Sequence, residues 1–202
     1  MAPMPARALL ADALVSQIGQ KAELTHDVIV RNVEALWPML IAGEIEFFVS
    51  AEGQIPASPS VRGECVGTFP QGLIVRAGHP LLRGPATDRE FPLLVSSKTG
   101  SRLPEGLSTS VRMPPHIIEH FETLVEVTAA TDAIWICSPF ALKNEIASGI
   151  LQDLPAGHPP MQEMRIMMYS LDRRTQSPAA RDLKDLFRAR ITRLTVPDDG
   201  EP

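Results

Sequence analysis

His116-Ile117-Ile118-Glu119-His120 is the most specific chemical spacing in this 202-residue sequence. It matches the H-x-x-E-H pattern of inverted zinc peptidases. Two histidines four apart on a helix share a face and can hold Zn²⁺, with Glu119 as base. Glu145 is the nearest candidate for a third ligand. The same residues also read as a polar flank beside an apolar helix stripe of Ile117, Phe121, Leu124, Val125 and Thr128. A short pattern arises readily by chance, so the flank is the expected reading. No metal and no cofactor are expected.

Other chemistry is sparse. Cys137 falls within the apolar run Ile134-Trp135-Ile136, where a thiol is inert. Cys65 also has apolar neighbours, and both cysteines read as small hydrophobes in a reducing compartment. There is no G-x-S-x-G elbow and no phosphate-binding glycine loop. The polar groups best placed to bind something are Ser96 and Ser97 after an apolar strand, Thr131 and Asp132 before another, and Ser50 after a third. In open parallel sheets, ligands collect outside the carboxyl ends of strands, near helix N-termini. Each candidate has a plain structural alternative as a cap or turn residue.

Elements must position these groups. Helical spacing runs from Ala6 to Ile18 and from Val33 to Ala42, the latter after Asn32 as cap and with Pro38 inside. Pro38 predicts a kink or a late start. Pro114 and Pro115 open a third helix, Pro139 a fourth, and Ser177-Pro178 the last. Strands are expected at Val28–Val30, Ile45–Val49, Gly72–Val75, Phe91–Val95, Ala133–Cys137 and Met164–Tyr169. Pro56, Pro59 and Gly63 mark a surface connection. The alternation of strands and helices predicts an α/β fold with parallel sheets.

Composition narrows the function. Apolar residues make up 44%, and no apolar run is long enough to span a membrane. No export signal opens the sequence, so a cytoplasmic location is expected. Net charge is −5. The one dense basic group, Arg173 and Arg174 with Arg181, Lys184, Arg188 and Arg190, is interleaved with Asp182 and Asp185. It reads as a solvated helix face rather than a nucleic-acid patch.

The order of segments resembles the effector-binding domain of LysR-type transcriptional regulators. Gly43-Glu44-Ile45-Glu46-Phe47-Phe48-Val49 is similar to the family's "GELDLAI" segment, and Gly72 to Leu82 to its strand followed by "HPLA". Phe91 to Val95 resembles "YPLI", Thr131-Asp132-Ala133-Ile134 the "GLGI" position, Ala147 to Leu151 "ASGRL", and Ser177 to Arg181 "SPAAR". The resemblance implies a two-lobed fold like the type 2 periplasmic binding proteins, with a ligand cleft between the lobes. Residues 1–70 plus 161–202 would form the first lobe and 71–160 the second. The strand that opens the family's first lobe and its DNA-binding helix-turn-helix are not in this sequence.

The function implied is sensing of a small-molecule effector, without catalysis. Ligand contacts would come from Ser96, Ser97, Thr131, Asp132 and Ser50, with Met4 as an apolar wall. Lys98 and Arg102 suit an acid and Asp132 suits hydroxyls, which points to a sugar acid or an aromatic acid. A homodimer is implied, with Trp37 a candidate contact, and DNA binding only through the absent helix-turn-helix. A zinc hydrolase and a transport-type solute-binding protein are the alternatives.

Overall fold

Strand period and helix period separate cleanly along most of the chain, and the computed structural model shows what each stretch becomes. It describes residues 1–20, 23, 25–53, 55–84, 89–97, 111–154 and 163–195. The chain divides into two units, Met1–Phe69 with Arg165–Pro202, and Pro70–Met164.

The first unit contains α1 (Pro3–Gln20), α2 (Val33–Ala42), β1 (Phe47–Ala51), β2 (Val61–Phe69), β8 (Met164–Leu171) and α5 (Pro178–Thr195). Its sheet has the order β1-β8-β2. β1 and β8 are antiparallel, from Phe47 opposite Ser170 to Ala51 opposite Ile166. Alternation sends Phe48 and Tyr169 to one face, their rings 5.2 Å apart. There they join Met167 and the buried stripe Val33, Leu36 and Leu40 of α2. α2 runs through Pro38, whose exposed position leaves the freed carbonyl one turn back to water. Gly43 ends it at φ +74°, its N–H donating to the Leu40 carbonyl and that of Glu44 to the Met39 carbonyl. α5 buries Ala180, Phe187 and Ile191, and its Arg190 pairs with Asp12 of α1 at 2.8 Å.

The second unit contains β3 (Gly72–Arg76), β4 (Phe91–Val95), β5 (Val111–Ile117), α3 (Phe121–Ala130), β6 (Ile134–Cys137), α4 (Lys143–Ala147) and β7 (Leu151–Asp153). Short 3-10 turns lie at Pro80–Arg83 and Pro139–Leu142. The sheet order is β5-β4-β6-β3-β7. One face buries Leu73, Val75, Leu93, Val95, Ile134 and Ile136. The other carries Trp135, on which Phe121 of α3 packs edge-on at 5.0 Å. Burial on both faces is why β4 and β6 are apolar without alternation.

Several expectations are overturned. The sheets are not parallel throughout: β4 is parallel to β5 and β6, but β3 is antiparallel to β6 and β7, as β1 is to β8. Parallel neighbours need a crossover of a dozen or more residues, and only some connections here make one. Residues 28–30 form no strand. They instead flank the chain start, where the Met1 nitrogen donates to the Ile29 carbonyl at 2.6 Å and Arg31 N–H to the Met1 carbonyl at 3.2 Å.

Pro56 and Pro59 do lie in a connection, but Gly63 falls within the nine-residue β2, Val61–Phe69. Its charged Arg62 and Glu64 and its glycines hide the period, and α5 compensates Glu64. Pro114 and Pro115 belong to β5, not to a helix. β5 is an edge strand, where a missing N–H is tolerated.

Candidate functional site

The carboxyl edge of the parallel strands of the second unit gathers polar groups from three consecutive exits. Because β4 runs parallel to β5 and β6, all three end on the same side. Ser96 and Ser97, both half-buried, follow β4 directly. The β5 exit is tied beside them by Ile118 N–H donating to the Val95 carbonyl at 3.0 Å. It then turns at His120, the N-cap of α3, whose Nδ1 accepts from Thr123 N–H at 3.3 Å. The β6 exit is Ser138, fully buried, whose Oγ accepts from Phe140 N–H at 3.3 Å and caps the next 3-10 turn. Hydroxyls and the positive end of α3 therefore meet at one edge. The half-buried Ser96 and Ser97 and the start of α3 can donate to a carboxylate and exchange hydrogen bonds with ligand hydroxyls, while buried Ser138 caps the turn behind them. The sequence reading took His120 only as a candidate zinc ligand and passed over Ser138, although Ser138-Pro139 carries the cap signature.

Thr131 and Asp132 stand at the other end. They precede β6, and Ile134 is level with Leu93, so Asp132 lies near the start of β4. That is roughly 15–20 Å along the strands from Ser96 and Ser97. Thr131 Oγ1 donates to the Val127 carbonyl at 2.7 Å and accepts from Ala133 N–H at 3.2 Å. Asp132 Oδ1 accepts from Arg76 Nε at 2.9 Å and pairs with its Nη2 at 2.7 Å, while Oδ2 takes Arg89 at 2.8 Å. Burial alone would raise the Asp132 carboxyl, but the Arg76 hydrogen bond and the charges of Arg76 and Arg89 outweigh it, so it titrates below its usual range.

His79 completes this cluster. Its ring is fully buried against Phe91, with centroids 4.6 Å apart. Nδ1 accepts from Leu81 N–H at 3.2 Å, so Nε2 carries the proton and donates to the Asp132 carbonyl at 3.2 Å. Burial lowers its pKa below the usual value, and the imidazole stays neutral.

In the first unit, Ser50 is fully buried and its Oγ donates to the Ala51 carbonyl at 3.1 Å. Met4 is half-buried in the first turn of α1, at the same edge as the end of β1, since Ala2 N–H donates to the Val49 carbonyl at 2.8 Å. Lys98 and Arg102 lie outside the described residues.

The zinc pattern dissolves. His116 is in β5, Glu119 in the turn and His120 at the helix cap, so the two histidines do not share a helix face. Among the described residues no group of three or more His, Cys, Asp or Glu could hold a metal. Cys137 is buried and its thiol is pushed up by burial, with Cys65 in the other unit; both are free. No helix among the described residues is long and apolar enough to cross a membrane.

The sequence matches the family model of the LysR substrate binding domain over residues 1–192. The chain belongs to the LysR substrate-binding-domain family. Its two mixed α/β sheets are those of the type 2 periplasmic-binding-protein-like fold. Solved LysR relatives share the fold at low identity. The regulatory domain of HypT from Salmonella typhimurium in its apo form aligns at 18% identity and TM-score 0.68, covering 95% of this chain and 93% of that one. The OxyR2 E204G regulatory domain from Vibrio vulnificus aligns at 15% and 0.72, covering 94% and 92%. The effector binding domain of QuiR in complex with shikimate aligns at 13% and 0.68, covering 96% of each. No curated protein matches the sequence.

Proposed function

We propose that this LysR substrate-binding domain senses a hydroxylated or aromatic acid through the carboxyl edge of β4, β5 and β6. The observation that carries the reading is the convergence of half-buried Ser96-Ser97 and the His120-capped start of α3 on one edge. Hydroxyls match ligand hydroxyls, and the helix start favours a carboxylate. QuiR, of the same fold, was solved with shikimate, an acid of this kind. Thr131 and Asp132 are left out of the proposed site, because their bonds are spent within the amino edge.

Within the first unit, Met4 and Ser50 lie at one end of β1, where buried Ser50 bonds the Ala51 carbonyl. The domain acts as a sensor and not as an enzyme, in the cytoplasm, within a homodimeric regulator that reaches DNA through a separate helix-turn-helix. The exposed side of α2 around half-buried Trp37 is the candidate dimer contact. An effector can shift such an assembly only by binding its two arrangements with different affinity.

The test is calorimetric titration with a panel of shikimate, benzoate and sugar acids, alongside native mass spectrometry of the purified chain. Saturable binding of at least one acid, and not of its amide, is expected. No binding across the panel, or equal binding of acid and amide, contradicts the reading.

A further inference from the structure

A cavity of about 330 Å³ opens in the first unit where the turn after β8 meets β2 and α5. It lies at the amino end of β1, since Ser170 is opposite Phe47, and so away from the end of β1 where Met4 and Ser50 sit. Its walls carry four cationic side chains, Arg62, Arg174, Arg181 and Lys184, against two carboxylates, Glu64 and Asp172. Glu64 is already committed: Lys184 holds it at 3.1 Å and Arg188 at 2.5 Å. Among the described residues, the guanidinium groups of Arg62 and Arg181 have no partner, and both residues are exposed. Like charges sharing one concavity repel unless an anion lies between them. This excess of cations belongs to a chain whose net charge is −5.

We propose that this pocket binds a small phosphorylated polyol, at a site separate from the carboxyl edge of β4 to β6. The guanidinium fork of arginine matches phosphate oxygens in pairs, and Arg62 and Arg181 supply two forks. Apart from Leu171, the rest of the wall is polar. Gln176 Nε2 reaches Ser170 Oγ only at 3.4 Å, and Thr175 stands next to it. These amide and hydroxyl groups suit the hydroxyls of a polyol. The volume is that of a small-metabolite site, and a concave pocket of this size does not admit a duplex.

The experiment titrates the whole chain by calorimetry with glycerol 3-phosphate, glycerol, inorganic phosphate and a short DNA duplex. Glycerol 3-phosphate should bind saturably, phosphate more weakly, and glycerol and the duplex not at all. Arg62→Gln and Arg181→Gln should each weaken glycerol 3-phosphate roughly tenfold, with unchanged melting. Arg62→Lys, which keeps the charge but loses the fork, should fall between. Arg165→Gln should not matter, because Arg165 pairs with Glu52 outside the pocket. Four results each overturn the proposal: no binding of glycerol 3-phosphate, phosphate binding as tightly as its ester, binding of the duplex alone, or unchanged affinity in both glutamine variants.

Discussion

The two edges of the five-stranded sheet are built from opposite materials. At the amino edge, Asp132, Arg76, Arg89 and His79 form one closed cluster in which the carboxylate is bonded from two sides and both imidazole nitrogens are used. At the carboxyl edge, hydroxyls and a helix start dominate, at Ser96, Ser97, Ser138 and α3. Charges that satisfy each other stabilise a fold and have little left for a ligand. Small hydroxyls and helix-end N–H groups add little to stability but can be shared with a bound molecule. The proposed function follows this difference, with folding tied to one edge and recognition proposed at the other.

The strongest break in this contrast should come from His79→Ala. It empties a fully buried position against Phe91 and strands the Leu81 N–H. A loss of roughly 2–4 kcal/mol is expected in denaturant unfolding, with effector affinity of the surviving folded protein retained. Asp132→Ala should cost less, about 1–2 kcal/mol, because Arg89 is 60% exposed and screened by water. An equal loss of effector affinity in either variant would erase the distinction between edges.

Acid provides a graded version of the same test. His79 is neutral when folded and its pKa lies below the usual 6.5. The folded state then binds fewer protons than the unfolded one below pH 6.5. Its contribution is complete above pH 6.5 and is lost as pH falls below that value. Asp132 adds a second loss below its usual 3.8. Melting temperature followed from pH 7.5 to 5 should decline in the parent and decline less in His79→Gln. Parallel curves would show that His79 does not titrate in this way. The smallest effect is expected for Thr131→Ala, under about 1 kcal/mol, since its hydroxyl bonds only local backbone.

The sequence made the α/β fold legible wherever burial was uniform. Phe91–Val95 is a strand with the expected bounds, and Ser177-Pro178 opens α5 with Ser177 Oγ accepting from Ala180 N–H at 3.1 Å. It failed where a distant partner decided the outcome. Gly63 was read with Pro56 and Pro59 as a surface connection, but it lies in β2, whose Glu64 is paired with Lys184 and Arg188, more than a hundred residues away. Those contacts also cover Lys184 on the basic face of α5, while Arg181 and Asp185 stay exposed as a solvated face would be. Gly67 shows the same dependence: a Cβ there would meet Ile191 Cγ2 at 2.7 Å, so the glycine is required by α5 rather than by a turn.

Ser96 and Ser97 were legible as site candidates because a hydroxyl pair after a buried strand is a local signal. The pairing of Asp132 was not legible, because it needed the strand direction and the positions of Arg76 and Arg89, neither of which is local.

The most direct measurement is the affinity of one identified acid effector for Ser97→Ala and Thr131→Ala, each titrated beside the parent with its melting curve. Ser97→Ala should bind about five- to hundredfold more weakly, a cost of about 1–3 kcal/mol, at unchanged melting temperature. Thr131→Ala should bind as the parent does. Equal affinity for Ser97→Ala and the parent, or a loss confined to Thr131→Ala, would contradict recognition at the carboxyl edge.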